Sequence, residues 1–200
     1  MTKLLQLKHF PADFNGFTRI EYLSIFLSLL FAFSVAEVML GWSKMLKSKD
    51  KIIFSLDHFL MTVALFWVLI INWYVLWGRV GILGNGFIYF LISFLPIIII
   101  YFWSLYLFPD FDEEKDLNQY IDKNYRTIFF LWAGFLAVNV MISLLLNEID
   151  ISEFTILVRA LGIVNLLVVA VFRLHRWRRS VIIINIVILL AGTIHIARYM

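Results

Sequence analysis

No residue between Arg79 and Asp110 carries a formal charge, and five other stretches of the chain are nearly as apolar. A helix needs about 20 mostly apolar residues to cross a hydrocarbon layer ~30 Å thick. The pattern predicts an all-α polytopic membrane protein with six transmembrane helices. The expected spans are about Ile20–Trp42, Ile52–Trp77, Phe87–Phe108, Thr127–Leu146, Phe154–Phe172 and Val181–Ala197.

Six helices of this kind use about 126 residues, so a chain of 200 has no room for a separate soluble domain. Residues 1–200 read as one membrane domain. The net charge of +3 comes from basic residues in short loops beside apolar runs, which points to membrane topology and anionic headgroups, not to nucleic acid. With no cysteine, disulfides, thiolate metal sites and cysteine nucleophiles are excluded. The first long apolar run has no small-residue cleavage site, so it is expected to be a retained span. Ahead of it, Phe10, Phe14 and Phe17 beside Lys8 and Arg19 suggest a segment resting at the interface.

The loops between spans one and two, three and four, and five and six carry eleven Lys and Arg, against five on the other side. The positive-inside rule puts the eleven in the cytoplasm and both termini outside. The expected residence is a bacterial inner (plasma) membrane. Trp42, Trp73, Trp77, Trp103 and Trp177 fall near span ends, where amphipathic rings favour the headgroup layer. Gly78, Gly81, Gly84 and Gly86 read as a short turn after span two, and Arg173–Ser180 as a solvated basic loop. Pro96 lies inside span three, where it removes a backbone donor and is expected to kink the helix.

Polar residues inside the spans are the candidates for function. Arg159 lies about 9 Å of helix rise deeper than Glu153. A charge at that depth either snorkels to the interface or faces protein or water. Glu21, at the start of span one, is on the same side of the membrane and is the expected partner. Glu21, Ser24, Ser28 and Ala32 lie within about 60° of one another on a helix; the stripe could line a water path or form a tight helix–helix seam. Glu21, Ser24, Ser28 and Arg159 are therefore the candidate pore or cavity lining. Glu37 and Asp57 lie toward the basic loops, where salt bridging with Arg173–Arg179 is expected. Asn72, Asn139, Asn165 and Asn185 are expected to be buried amides that join helices at about 1 kcal/mol each or coordinate a permeant species.

No HExxH, GxSxG, P-loop or GxGxxG pattern occurs, so no metal, cofactor or catalytic residue is expected. Asp57-His58 would offer an acid–base pair, without a nucleophile or metal set to go with it.

Two short stretches resemble the prokaryotic six-helix relatives of the lysosomal proton-gated potassium channel. Arg19-Ile20-Glu21-Tyr22-Leu23-Ser24 is similar to that family's Arg-x-x-x-Phe-Ser-Asp at the opening of span one. Trp73, Trp77, Asn85 and Phe94-Leu95-Pro96 are similar to its Trp-x-x-His, Asn and Leu-Pro-Phe. Leu23 stands for the family's Phe, Ile25 for its Asp and Trp77 for its His. The resemblance implies that span one lines a central pore in an oligomer, with bulky apolar side chains as the constriction.

These readings give an expected function: a membrane channel or transporter that passes a small ion or solute, a cation by preference, as a homo-oligomer in the lipid bilayer. The alternative is a non-catalytic membrane subunit or scaffold that binds a protein partner through its cytoplasmic basic loops and Asp110–Arg126. A lipid-active membrane enzyme is the third.

Overall fold

The computed structural model describes residues 19–47, 52–83, 87–111, 114–145 and 153–199. Six helices account for nearly all of them: α1 (Arg19–Lys47), α2 (Leu56–Leu83), α3 (Phe87–Leu107), α4 (Leu117–Leu145), α5 (Glu153–Phe172) and α6 (Arg178–Tyr199), with a single 3-10 turn, His175–Trp177, before α6. No strand is formed among the described residues. Four helices (α1, α2, α4 and α6) carry stretches long and apolar enough to cross a membrane; in α3 and α5 the apolar stretches are Leu91–Leu107 and Ile156–Phe172. The protein is all-helical, and this set of apolar helices fits a membrane protein.

Helix packing follows a ring, α1–α3–α4–α5–α6–α2, with α2 also touching α3 and α4 across it. The inner faces show the i, i+3, i+4 spacing of amphipathic helices: Met61, Ala64, Leu65, Val68 and Leu69 on α2, and Ile121, Tyr125, Ile128, Phe129 and Trp132 on α4, are all buried. The outer faces are apolar too. Ile25, Leu29 and Phe33 of α1, Leu161, Val164 and Val168 of α5, and Ile183, Val187 and Leu190 of α6 are exposed. A soluble bundle turns polar side chains outward; contiguous apolar outer faces suit surroundings of lipid.

Several boundaries differ from the sequence reading. Helix α2 starts four residues later than expected, because Ile53 is bridged to the α3–α4 connection: its N–H donates to the Lys115 carbonyl (2.8 Å) and its carbonyl accepts from Leu117 N–H (3.1 Å). Ser55 then caps the helix, accepting from His58 N–H at 3.4 Å, the N-cap role to which serine is suited. At its far end α2 runs through Gly78 and Gly81 to Leu83; the tolerance of glycine in apolar helices outweighs its turn preference there. Helix α4 begins ten residues before the expected span. Asp116 accepts from the backbone of Asn118 (2.9 Å) and Gln119 (3.3 Å), which nucleates helix in a polar segment that has no need of lipid. Pro96 is buried within a continuous α3. The interfacial segment expected before Arg19 lies outside the described residues.

Trp103 was expected at the headgroup layer and is instead in the core. It is fully buried and stacked on Trp132, ring centroids 5.0 Å apart. One turn inside the end of α3, it lies on the face turned toward α4. Trp42 packs on Phe66 and Trp73 on Phe31, while Trp177 is exposed.

Two glycines set helix spacing. A Cβ at Gly41 would overlap the ring of Phe108. A Cβ at Gly162 would stand 2.7 Å from Asn185 Oδ1, 3.4 Å from Ile188 and 3.5 Å from Leu136, so α5 seats against α4 and α6 only with a bare backbone at this point. Gly162→Ala should therefore destabilise the protein by about 1–3 kcal/mol. Gly134→Ala, where nothing lies within 4 Å, should be neutral or stabilising by up to about 1 kcal/mol. Thermal unfolding of the two variants in one detergent makes the comparison.

Candidate functional site

Polar chemistry concentrates where α1, α3 and α5 end and α2, α4 and α6 begin. Asp57 sits in the first turn of α2, one turn before Met61 and thus on the inner face of that helix. Only 4% of its side chain is exposed. Arg178 and Arg179 open α6. Two cations at a helix N-terminus oppose the macrodipole, and Asp57 answers both. Arg178 Nε and Nη2 donate to Asp57 Oδ2 at 2.8 and 2.6 Å, and Arg179 Nε donates to Oδ1 at 2.7 Å. Arg178 reaches on through Nη1 to Asp122 of α4, and His175 Nδ1 stands 4.0 Å from the same carboxylate. The His175 ring lies over Tyr125, centroids 4.9 Å apart.

Two carboxylates and two guanidiniums thus form a neutral clamp across α2, α4 and α6. Its inner pair, Asp57–Arg178, is shielded; Arg179 and Asp122 form its outer rim and are more than half exposed. The expected bridge from Asp57 to the basic cluster is present. Its principal partner, Arg178, is not in a solvated loop but 11% exposed.

The neighbouring side chains close helix ends. A carbonyl can only accept, so the 3.0 Å contact between His58 Nε2 and the Leu107 carbonyl places the proton on Nε2 and leaves Nδ1 as a lone-pair acceptor. Nδ1 is buried and has no hydrogen-bond partner among the described residues. Tyr120 Oη donates to the Tyr106 carbonyl at 3.0 Å and Arg126 Nε to the Ala170 carbonyl at 2.9 Å. These contacts satisfy carbonyls in the last turns of α3 and α5 that have no partner within their own helix. Beyond α5, Arg173 takes the left-handed conformation (φ 53°) and Leu174 N–H turns back to the Val169 carbonyl at 3.4 Å, the pattern of a Schellman cap. Asp57 and His58, adjacent in sequence, are therefore committed to different partners, and their arrangement is not that of an acid–base dyad.

The other sequence candidates lie on α1, α2, α4, α5 and α6. On α1, Glu21 and Ala32 are exposed, and Ser24 and Ser28 half-buried; Ser28 donates to its own helix at the Ser24 carbonyl (2.7 Å). Arg159 is half-buried on α5. Glu21 and Arg159 each interact with their surroundings. Glu37 is half-buried and makes no ion pair among the described residues; it lies ten residues before the end of α1, about 15 Å of helix rise from that end, out of reach of the arginines. Among the described residues, the side-chain amides of Asn139 and Asn185 bond within their own helices and do not join helices as expected. Asn139 donates to Phe135 (2.9 Å) and Asn185 to Val181 (3.0 Å), each within its own helix. Asn72 is buried and Asn165 half-buried. An interhelical bond is made elsewhere, from Trp67 Nε1 to Thr193 Oγ1 at 3.1 Å.

The sequence reading does not include Asp122, the Trp67–Thr193 bond or the Trp103–Trp132 stack. Asp122 offered a signal: it follows Ile121, in register with Tyr125 and Phe129, at the border of an amphipathic face. The stacked tryptophans offered none, because α3 is apolar all round.

Comparison with protein-family models, with curated proteins and with solved structures returned no match, so the resemblance to the potassium-channel relatives rests on its few residues alone.

Proposed function

We propose that this chain is a six-span integral membrane protein that serves as a non-catalytic membrane subunit, binding at its basic end and not conducting through its own interior. Helices α3 and α5, of 21 and 20 residues, are each about 30 Å long, enough to cross beside the four longer helices. Six crossings put both ends of the chain on the face opposite the basic loops, which the charge distribution assigns to the cytoplasm. The observation that carries the reading is the filled interior. The stacked Trp103 and Trp132, with Leu65, Ile100, Ile128 and Phe129, belong to one buried apolar cluster, and Asp57, Asp122, Arg178 and Arg179 at its end neutralise one another.

The α1 stripe favours a second reading, ion passage between copies of the chain. Glu21, Ser24, Ser28 and Ala32 lie on a flank of α1 and not in the core, where a path shared by several chains would run. One experiment separates the two. Ser24→Cys and Ser28→Cys, in a chain without other cysteines, are reconstituted in liposomes and treated with a small water-soluble thiol reagent. The subunit reading expects no ion flux above empty liposomes and no effect of the reagent. Flux that the reagent blocks at both positions, but not at Leu30→Cys, would establish passage along α1 instead.

A further inference from the structure

Five guanidiniums gather at the basic end, and the structure distinguishes them. Arg126 is held by the Ala170 carbonyl, Arg178 by Asp57 and Asp122, and Arg179 by Asp57 through Nε. The side chains of Arg173 and Arg176 are exposed and make no hydrogen bond or ion pair among the described residues. They stand on the turn between α5 and α6 beside three exposed apolar side chains: Phe172 (69% exposed), Leu174 (37%) and Trp177 (61%).

A turn whose role was only to connect two helices would gain nothing from an exposed Phe and Trp. The Schellman cap holds Arg173 in a left-handed conformation that a non-glycine residue adopts at a cost, so the turn is a formed element. Directly beneath it the exposed flanks of α5 and α6 continue as Val168, Val171, Ile183 and Ile184. Cationic forks thus stand above an apolar surface, with a tryptophan at the boundary. A guanidinium matches a phosphate bidentately, tryptophan prefers the headgroup layer, and branched aliphatic side chains accept acyl chains. An acidic protein would match the charges without using the apolar surface.

We infer that Arg173 and Arg176, with Phe172, Leu174 and Trp177, form a binding site for the headgroup of an anionic phospholipid whose chains lie along the α5–α6 flank. The inference names the occupant of the basic end in the proposed function and rests on the spanning arrangement of the helices.

The test uses the full chain and dioleoylphosphatidylglycerol, with dioleoylphosphatidylcholine and inorganic phosphate as comparisons. Native mass spectrometry from detergent is expected to show phosphatidylglycerol retained in preference to phosphatidylcholine. Arg173→Gln/Arg176→Gln should weaken that retention on the order of tenfold, since each basic group near an anionic surface contributes separately. Arg173→Lys/Arg176→Lys should keep most of it. Melting in phosphatidylcholine should be the same for all three proteins, because neither arginine is tied to the fold. Equal retention of the two lipids, an unchanged preference in the Gln variant, or displacement of the lipid by millimolar phosphate would each overturn the inference. Flotation with phosphatidylcholine vesicles keeps the two levels apart. A chain that does not float refutes the spanning arrangement and this site together. A chain that floats without preferring phosphatidylglycerol refutes this site alone.

Discussion

Asp57→Ala is expected to destabilise the detergent-solubilised protein by about 3–5 kcal/mol, the usual cost of breaking a buried pair from one side. Arg178 would be left 11% exposed with only the outer Asp122 to face, and Arg179 would lose its one acceptor among the described residues. The penalty is that of a stranded charge, so it should shrink when the charge is removed as well. Asp57→Leu/Arg178→Met is expected to recover much of the loss, since apolar replacements for a buried pair are often neutral. Thermal or denaturant unfolding of the singles and the double gives the coupling directly. A double variant no more stable than Asp57→Ala would mean that Asp57 acts through something other than the arginines.

A loss of similar size is expected from the interior. Trp103 and Trp132 are both fully buried and stacked at 5.0 Å. Truncation of either to alanine should cost about 3–5 kcal/mol through lost contacts and the cavity left behind. Trp103→Phe keeps a ring on Trp132 and should cost less. The double alanine variant should lose less than the sum of the singles, by the roughly 0.5–1.5 kcal/mol that an aromatic pair adds beyond its burial. A Trp103→Ala variant with an unchanged unfolding midpoint would place that ring outside the core and remove the main support for a filled interior.

Both predictions concern residues whose approximate place was legible in the sequence and whose partners were not. Asp57 begins α2 and Arg178 begins α6, an even number of helices apart, so up-and-down alternation alone brings them to one end of the molecule. That Arg178 turns inward while Arg173 and Arg176 stay outside depends on where α6 begins and on the cap that ends α5. The α1 stripe was readable as a face, because serine and alanine stand out among leucine and phenylalanine. Whether that face meets a neighbouring helix or the surroundings was not readable.

The class of the fold is written into the order of the residues. Apolar runs of this length, with backbone polar groups that must be satisfied within each segment, leave helices as the workable structure in lipid, and the uneven distribution of Lys and Arg marks one end as distinct. The rotation of each helix and the order of the ring come from packing. A soluble helix announces its inner face by contrast with a polar outer one, but here both faces are apolar, so burial of Trp103 rather than Phe102 leaves no trace in composition. Packing supplied what contrast could not: glycine at Gly162 where α5 meets α6, tryptophan against tryptophan between α3 and α4, and a carboxylate placed where two arginines begin a helix.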